Sequence, residues 1–285
     1  ISKKCTLENT KGMDFKKDFF LKDKVIIVTG GTGVLGEAFV QGIAAAGGVV
    51  GILGRKEKVA RERAAAVIES GGKAMALIAD VTKEDELIAA KEMVLSEFGQ
   101  IDGLVNAAGG NMPGAVIAPD QDIFELDFTA LKQVMDLNLF GTMLPSQVFG
   151  QAMAAQGKGS IVNISSMASQ RAITKVLGYS MAKTAIDCYT KWFAVELGKR
   201  YGDSIRMNAI APGFFLTEQN RTLLTNEDGT RTARGELVIK NTPFGRFGNP
   251  DELIGALVWL LSDASKFVTG SVVNVDGGFS VFSGV

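Results

Sequence analysis

What most constrains this chain is an alternation. Short runs rich in Val and Ile recur at 25–28, 49–53, 74–79, 103–106, 160–165, 205–210 and 272–275. Between them lie Ala-rich amphipathic stretches of helical length, near 34–46, 57–70, 83–98, 129–155, 179–201 and 250–262. Near-continuously apolar strands are buried on both faces, and parallel pairing needs crossovers long enough to be helices. The expected fold is therefore α/β, a doubly wound parallel sheet of about seven strands with helices on both faces. Glycine, 34 of 285 residues, sits at the ends of the apolar runs and so punctuates elements. Pro145 removes one backbone donor inside the 129–155 stretch, which predicts a bend or break there. The stretch 213–248, dense in Gly, Asn, Thr and charge, is too long for a bare linker in a compact domain. It reads as a substrate lid with some helix of its own. A single domain over 22–285 is expected, preceded by an extension over 1–21.

Composition narrows the chemistry. The chain has no histidine, which removes imidazole bases, the Ser-His-Asp triad and His-bearing zinc sites. Proton transfer then falls to Tyr, Lys, Asp, Glu or Cys. Cys5 and Cys188 lie far apart with no CxxC spacing, so neither a disulfide framework nor a metal centre is expected, and a reducing cytoplasm is the expected setting. With 30 Lys+Arg against 31 Asp+Glu, no global field draws in nucleic acid or an anionic membrane. No apolar run approaches the ~18 residues of a membrane span, and the first 24 residues are polar and Lys-rich. Neither export nor anchoring is expected. The sequence opens on Ile1, and Met13, just ahead of the first apolar run, is the expected start.

The motifs lie where such a sheet would bind a nucleotide. Lys24-Val-Ile-Ile-Val-Thr29 leads into Gly30-Gly31-Thr32-Gly33-Val34-Leu35-Gly36: a strand, a glycine-rich turn and a helix start. Gly31, Gly33 and Gly36 match the dinucleotide fingerprint, whose glycines let backbone approach a pyrophosphate at a helix N-terminus. The second strand ends in Gly54-Arg55-Lys56, with no acid to bond a ribose hydroxyl and a guanidinium suited to phosphate, so NADP is expected over NAD. Asp80 and Val81 either meet the adenine or, in the case of Asp80, cap the helix beginning near Thr82. Asn106-Ala107-Ala108-Gly109 offers small residues against which a ribose can lie. Tyr179 and Lys183 are four apart, hence on one helix face, where an ammonium would favour the phenolate.

Together these segments resemble the short-chain dehydrogenase/reductase family over residues 22–280. The glycine turn departs from the family's T-G-x-x-x-G-x-G, with Gly33 one place ahead of Val34. The resemblance implies the roles that follow. Asn138, in Asp136-Leu-Asn-Leu, holds a proton-relaying water. Ser166, thirteen residues before the tyrosine, bonds the substrate carbonyl. Tyr179 donates the proton, and Lys183 lowers the tyrosine pKa and bonds the nicotinamide ribose. Pro212-Gly213 is the turn after the sixth strand. A narrower resemblance, to the D-mannonate oxidoreductases (fructuronate reductases) of that family, lies in Gly109-Gly110-Asn111, in 211–220 including Thr217, in 241–253 and in 275–285. It implies a keto sugar acid as small-molecule substrate. Arg171, Lys175, Arg221, Arg231 and Arg234 are the candidate cations for its carboxylate, with Asn111 and Gln170 as neutral partners. A gluconate 5-dehydrogenase-like or 3-oxoacyl reductase-like enzyme is the alternative, the charges of 213–248 disfavouring a long acyl chain. A nucleotide-binding regulator without catalysis is the non-enzyme alternative. Surplus apolar residues on 129–155 and 179–201 predict a homo-oligomer, and the resemblance implies a tetramer or a dimer.

Overall fold

The computed structural model describes residues 18–118, 120–217 and 220–284. Met13 and most of the 1–21 extension lie outside the described residues, as do Glu218 and Gln219 of the narrower resemblance. Seven strands, β1 (Val25–Thr29), β2 (Val49–Gly54), β3 (Lys73–Ile78), β4 (Gly103–Asn106), β5 (Gly159–Ile164), β6 (Ile205–Pro212) and β7 (Val272–Val275), form one parallel sheet in the order β3-β2-β1-β4-β5-β6-β7. Each expected strand is present, its ends within two residues of those read from the sequence. The helices are α1 (Val34–Ala45), α2 (Glu57–Glu69), α3 (Glu84–Phe98), α4 (Phe128–Met135), α5 (Gly141–Gln156), α6 (Leu177–Tyr201), α7 (Arg221–Leu224), α8 (Ala233–Lys240) and α9 (Ile254–Leu261).

Helices cover both faces, as the uninterrupted burial of β1, β2, β4 and β6 requires. On one face α1, α2 and α9 bury Phe39, Ile43, Val67, Leu257 and Leu260 against Ile26, Val28 and Ile52. On the other, α3, α5 and α6 bury Leu87, Val94, Phe149, Met153 and Leu197 against Ile27, Leu104 and Met207. Truncating either central phenylalanine to alanine would cost about 3–5 kcal/mol. Strand order reverses beside β1, whose neighbours are β2 on one side and β4 on the other. The loops leaving β1 and β4 therefore diverge and open a crevice at the carboxyl ends of the strands. Registers Thr29↔Asn106 and Asn106↔Asn163 bring those ends level.

One expectation is corrected. The 129–155 stretch is interrupted not at Pro145, which lies inside α5, but at a π-helical turn, Asp136–Phe140, between α4 and α5. There Gly141 N–H reaches back five residues to the Asp136 carbonyl. A proline crowds the carbonyl four residues before it, here that of Gly141, so the distortion is expressed one turn earlier. Hydroxyls take over nearby acceptors: Thr142 Oγ1 donates to the Asn138 carbonyl at 2.8 Å and Ser146 Oγ to the Thr142 carbonyl at 2.7 Å. The region 213–248 contains α7 and α8, packed so closely that a Cβ on Gly235 would stand 2.2 Å from the Leu224 carbonyl.

Candidate active site

The turn after β1 is built from backbone. Gly30 has φ 65°, and a Cβ on Gly36 would lie 2.1 Å from the Gly30 carbonyl, so neither position admits another residue without rearrangement. Gly33 N–H closes the turn onto the Gly30 carbonyl at 2.9 Å. No side chain caps α1, leaving first-turn amides without intrahelical acceptors. Gly30, Thr32, Gly33, Val34, Leu35 and Gly36 line an open groove of about 1060 Å³ of atom-free space, continued by Arg55, Lys56, Asp80, Val81, Ala107, Ala108, Gly109 and Thr217. The amides, the positive end of the helix dipole and the close glycine approach fit a pyrophosphate, and the groove's length fits the rest of a dinucleotide. Gly31 faces away from it, toward β2: a Cβ there would stand 2.9 Å from Ile52 Cγ2.

Two supports of this groove escaped sequence reading. Arg63, on α2, donates to the Gly31 and Gly33 carbonyls at 2.5 and 2.8 Å while paired with Glu37 at 2.9 Å. This braces the turn in which Gly33 stands one place early. Thr29 Oγ1 accepts the Ala107 and Ala108 amides at 3.1 Å each, tying the β1 and β4 ends together. No local spacing signals either contact. Asn106 differs from expectation. It is buried, its Nδ2 donating to Ser146 Oγ and Asn163 Oδ1 at 2.8 and 2.9 Å, and it does not line the groove. Asp80 does border the groove, but its Oδ1 is engaged by the Thr82 amide and hydroxyl at 2.9 and 2.7 Å. Lys83, not Asp80, precedes α3 as its cap residue. Burial opposes ionisation of Asp80, yet the Thr82 and Arg55 contacts outweigh it and hold the carboxyl below its ordinary value.

The groove opens into a second cleft, about 1140 Å³, lined by Ser166, Tyr179, Lys183, Gly109, Asn111 and Pro212 and walled by Ile173, Val176, Phe214, Leu223 and Leu224. α6 carries Tyr179 and Lys183 one turn apart, and the Lys183 ammonium lies 5.4 Å from the centre of the tyrosine ring. Lys183 is buried and donates to the Ile164 carbonyl at 2.7 Å. Burial pushes its pKa down to about 8, against the pull of Asp187. The acidified phenol read from the sequence is not what this geometry gives. Burial pushes Tyr179 up, with a hydrogen bond from Ser166 opposing it, and the hydrogen bond that the Lys183 amine makes goes to the Ile164 carbonyl. Asn138, fully buried, is also engaged. Its Nδ2 donates to the Gly110 and Val134 carbonyls at 2.7 and 2.8 Å and its Oδ1 accepts the Gly110 amide at 3.0 Å. Its side chain therefore braces the Gly109-Gly110 backbone instead of presenting a free amide to a water.

The candidate cations separate cleanly. Arg234 lines the cleft, held by the Thr174 hydroxyl and carbonyl at 3.3 Å each. Arg171 instead donates to the Phe282 carbonyl at 3.0 Å, and Gln170 exchanges amide hydrogen bonds with Asn274 at 2.8 and 2.9 Å. Both are drawn to the C-terminal segment, away from the cleft. Lys175, at φ 75°, accepts the Ile117 amide on its carbonyl and does not line the cleft. Arg221 is exposed on α7, and Arg231 pairs with Glu236 at 3.5 Å. Glu227, Asp228, Glu236 and Lys240 are likewise exposed, so among the described charges of 213–248 Arg234 is the one on the cleft lining, where Phe214, Phe215, Leu223 and Leu224 of the same segment form an apolar wall. Asn111 and Asn220 are the amides on the cleft lining.

Comparison with known proteins follows the same lines. A family model described as enoyl-(acyl carrier protein) reductase matches residues 32–280. An uncharacterised oxidoreductase of Bacillus subtilis is 42% identical over 274 residues, covering 93% of this chain and 98% of that protein. A Haemophilus influenzae protein provisionally assigned as a D-mannonate oxidoreductase, solved with bound NAD, superposes with a TM-score of 0.86 at 38% identity, over 95% of this chain and 100% of that one. A Burkholderia cenocepacia gluconate 5-dehydrogenase in complex with NADP and tartrate superposes at 0.82 and 32% identity, over 93% and 98% of the two chains.

Proposed function

We propose a substrate from this premise: the chain belongs to the short-chain dehydrogenase/reductase family and is an NAD(P)-dependent oxidoreductase. The substrate is a keto sugar acid, interconverted with its hydroxy acid in the manner of D-fructuronate and D-mannonate. The observation that carries this reading is Arg234, the one arginine among the described cleft-lining residues, set in the same cleft as Tyr179 and Ser166. A guanidinium there pairs with a carboxylate, while Asn111 suits a sugar hydroxyl. A 5-keto-gluconate is the second reading, favoured by the same guanidinium and by the likeness to gluconate 5-dehydrogenase.

The bound nicotinamide supplies or accepts the hydride at the substrate carbon. The chain does the rest. Gly30, Thr32, Gly33, Val34, Leu35 and Gly36 hold the pyrophosphate, and Arg55 with Lys56 meets a 2′-phosphate, which favours NADP. Ser166 donates a hydrogen bond to the carbonyl oxygen as charge develops. Tyr179 gives its proton to that oxygen in reduction and takes one back in oxidation, its raised pKa keeping the phenol protonated in the unliganded site. Lys183 reaches the cofactor ribose and compensates the phenolate. Asn138 fixes the backbone against which the ribose lies.

The exposed side chains Phe128, Phe140, Met181, Trp192 and Val195 on α4, the π turn and α6 support a homo-oligomer buried through these helices, which light scattering at graded concentration tests. The substrate reading is tested by following NADPH and NADH oxidation with D-fructuronate, 5-keto-D-gluconate and a 3-oxoacyl thioester. Turnover of an acid sugar with saturation is expected. Oxidation confined to the thioester sinks the acid reading, and NADPH binding with no turnover of the panel favours the regulator.

A further inference from the structure

Tyr179 and Lys183 are followed, after four more residues on α6, by a third titratable group, Asp187. Spacing of four places all three on one face of the helix, each about one turn from the last. Asp187 is buried, 8% exposed, and the mechanism above gives it no task. Both of its oxygens are occupied. Ser165 Oγ donates to Oδ1, and Ser169 Oγ donates to Oδ2 at 2.6 Å. These two serines bracket a short 3₁₀ turn, Met167–Ser169, whose preceding residue is Ser166. The turn is closed by Ser169 N–H on the Ser166 carbonyl at 3.0 Å, and the Ser166 hydroxyl accepts the Ala168 amide at 3.2 Å. Thr184 adds a bond from α6 to the Ser169 carbonyl at 3.2 Å.

We propose that Asp187 is a positioning residue of the hydride-transfer site: its ionised carboxylate clamps the turn that carries Ser166 onto the helix that carries Tyr179 and Lys183, and it is the counter-charge of the Lys183 ammonium. Two hydroxyls given to an anion make stronger bonds than two given to a neutral amide, so the charge itself tightens the clamp. The surroundings of Lys183 leave that role to Asp187. On α6 its titratable neighbours are Tyr179 and Asp187. From β5 comes the Ile164 carbonyl, and from the loop after β4 and the π turn come Gly109 and the Asn138 amide, none charged. Burial depletes the ammonium form, and Asp187 opposes that depletion. The clamp and the charge act together: one fixes where Ser166 meets Tyr179, the other how long Lys183 stays protonated as pH rises.

This inference rests on the reading of Tyr179 and Lys183 as the proton-handling pair, and the test separates the two. In Asp187→Asn, the Lys183 Cε signal, followed by ¹³C NMR of labelled lysine in the unliganded protein and identified with Lys183→Arg, is expected to titrate about one pH unit below wild type. NADPH affinity should be unchanged. The alkaline limb of kcat/KM for the best keto acid should move the same way, and Asp187→Glu should restore part of the shift. An unmoved titration midpoint overturns the proposal. If Asp187→Asn does not fold, Ser169→Ala tests the clamp alone: kcat is expected to fall about tenfold to a hundredfold with KM unchanged, consistent with loss of one charge-assisted bond, and wild-type kcat overturns it. Tyr179→Phe is run alongside. Retained turnover in that variant would sink the proton-handling reading while leaving the lysine titration to judge Asp187 by itself.

Discussion

The two ends of the crevice are made from different materials. At the nucleotide end the working surface is main chain: amides of the first turn of α1, glycines that cannot carry a side chain, and a turn closed on its own carbonyl. At the substrate end it is side chain, an apolar wall of Ile173, Val176, Phe214, Phe215, Leu223 and Leu224 with a single guanidinium among the described lining residues. The first surface has little latitude, since a Cβ at Gly36 collides with backbone. The second has more latitude, since much of its apolar wall comes from loops and short helices outside the sheet. Such a division lets one chemical engine serve many substrates, because specificity is written where the fold is least demanding.

Substitutions can break that division or sharpen it. The largest effect should come where the two ends meet: Tyr179→Phe is expected to lower kcat about 10²- to 10⁴-fold, with NADPH affinity by fluorescence titration nearly unchanged. A parallel loss of affinity would mean the tyrosine belongs to the nucleotide end. Next, Gly36→Ala should cost about 1–3 kcal/mol or more of stability in denaturant melts together with nucleotide binding. An Ala variant of wild-type stability would show the turn to be less rigid than its backbone contacts imply. Arg234→Gln should raise KM for an acid sugar about tenfold to a hundredfold and leave NADPH binding alone. The same KM increase for a neutral ketone would remove the carboxylate role. Arg55→Ala should narrow the NADPH over NADH ratio by about fivefold, the smallest effect because the group is largely exposed. As to pH, a group whose pKa is lowered to about 8 loses its proton as pH rises through that value. Reduction should therefore decline above pH 8, and a rate still climbing there would exclude the Lys183 ammonium as a requirement.

The same division explains what the sequence disclosed. The alternation of strand and helix, the glycine turn and the Tyr179–Lys183 spacing are local patterns, each set by residues within a turn or an element of one another, and they were legible. Arg63 under the glycine turn, Thr29 across two strands and Arg234 against Thr174 are contacts between segments distant in sequence, and no spacing rule reaches them. Five candidate cations looked alike in the sequence because each is a charged residue in a loop or short helix. Only packing decided that Arg171 turns to the Phe282 carbonyl while Arg234 turns to the cleft. The phenol was misjudged for a related reason. Four-residue spacing guarantees that Tyr179 and Lys183 share a face, but not that the amine bonds the phenol, and here the hydrogen bond it makes goes to the Ile164 carbonyl of β5.

The wide turn at Asp136–Phe140 also splits the long rod that contains it into two angular phases. One residue in excess of the α repeat rotates everything beyond it by roughly 100°. The turn itself can therefore be indexed to the active site through Asn138 while the stretch behind is indexed to the sheet through Phe149 and Met153. Deleting one residue from 136–140 would restore an unbroken ladder and put the two halves back in a common phase. Asn138 would then be carried off the Gly110 backbone, although not one catalytic residue had been altered.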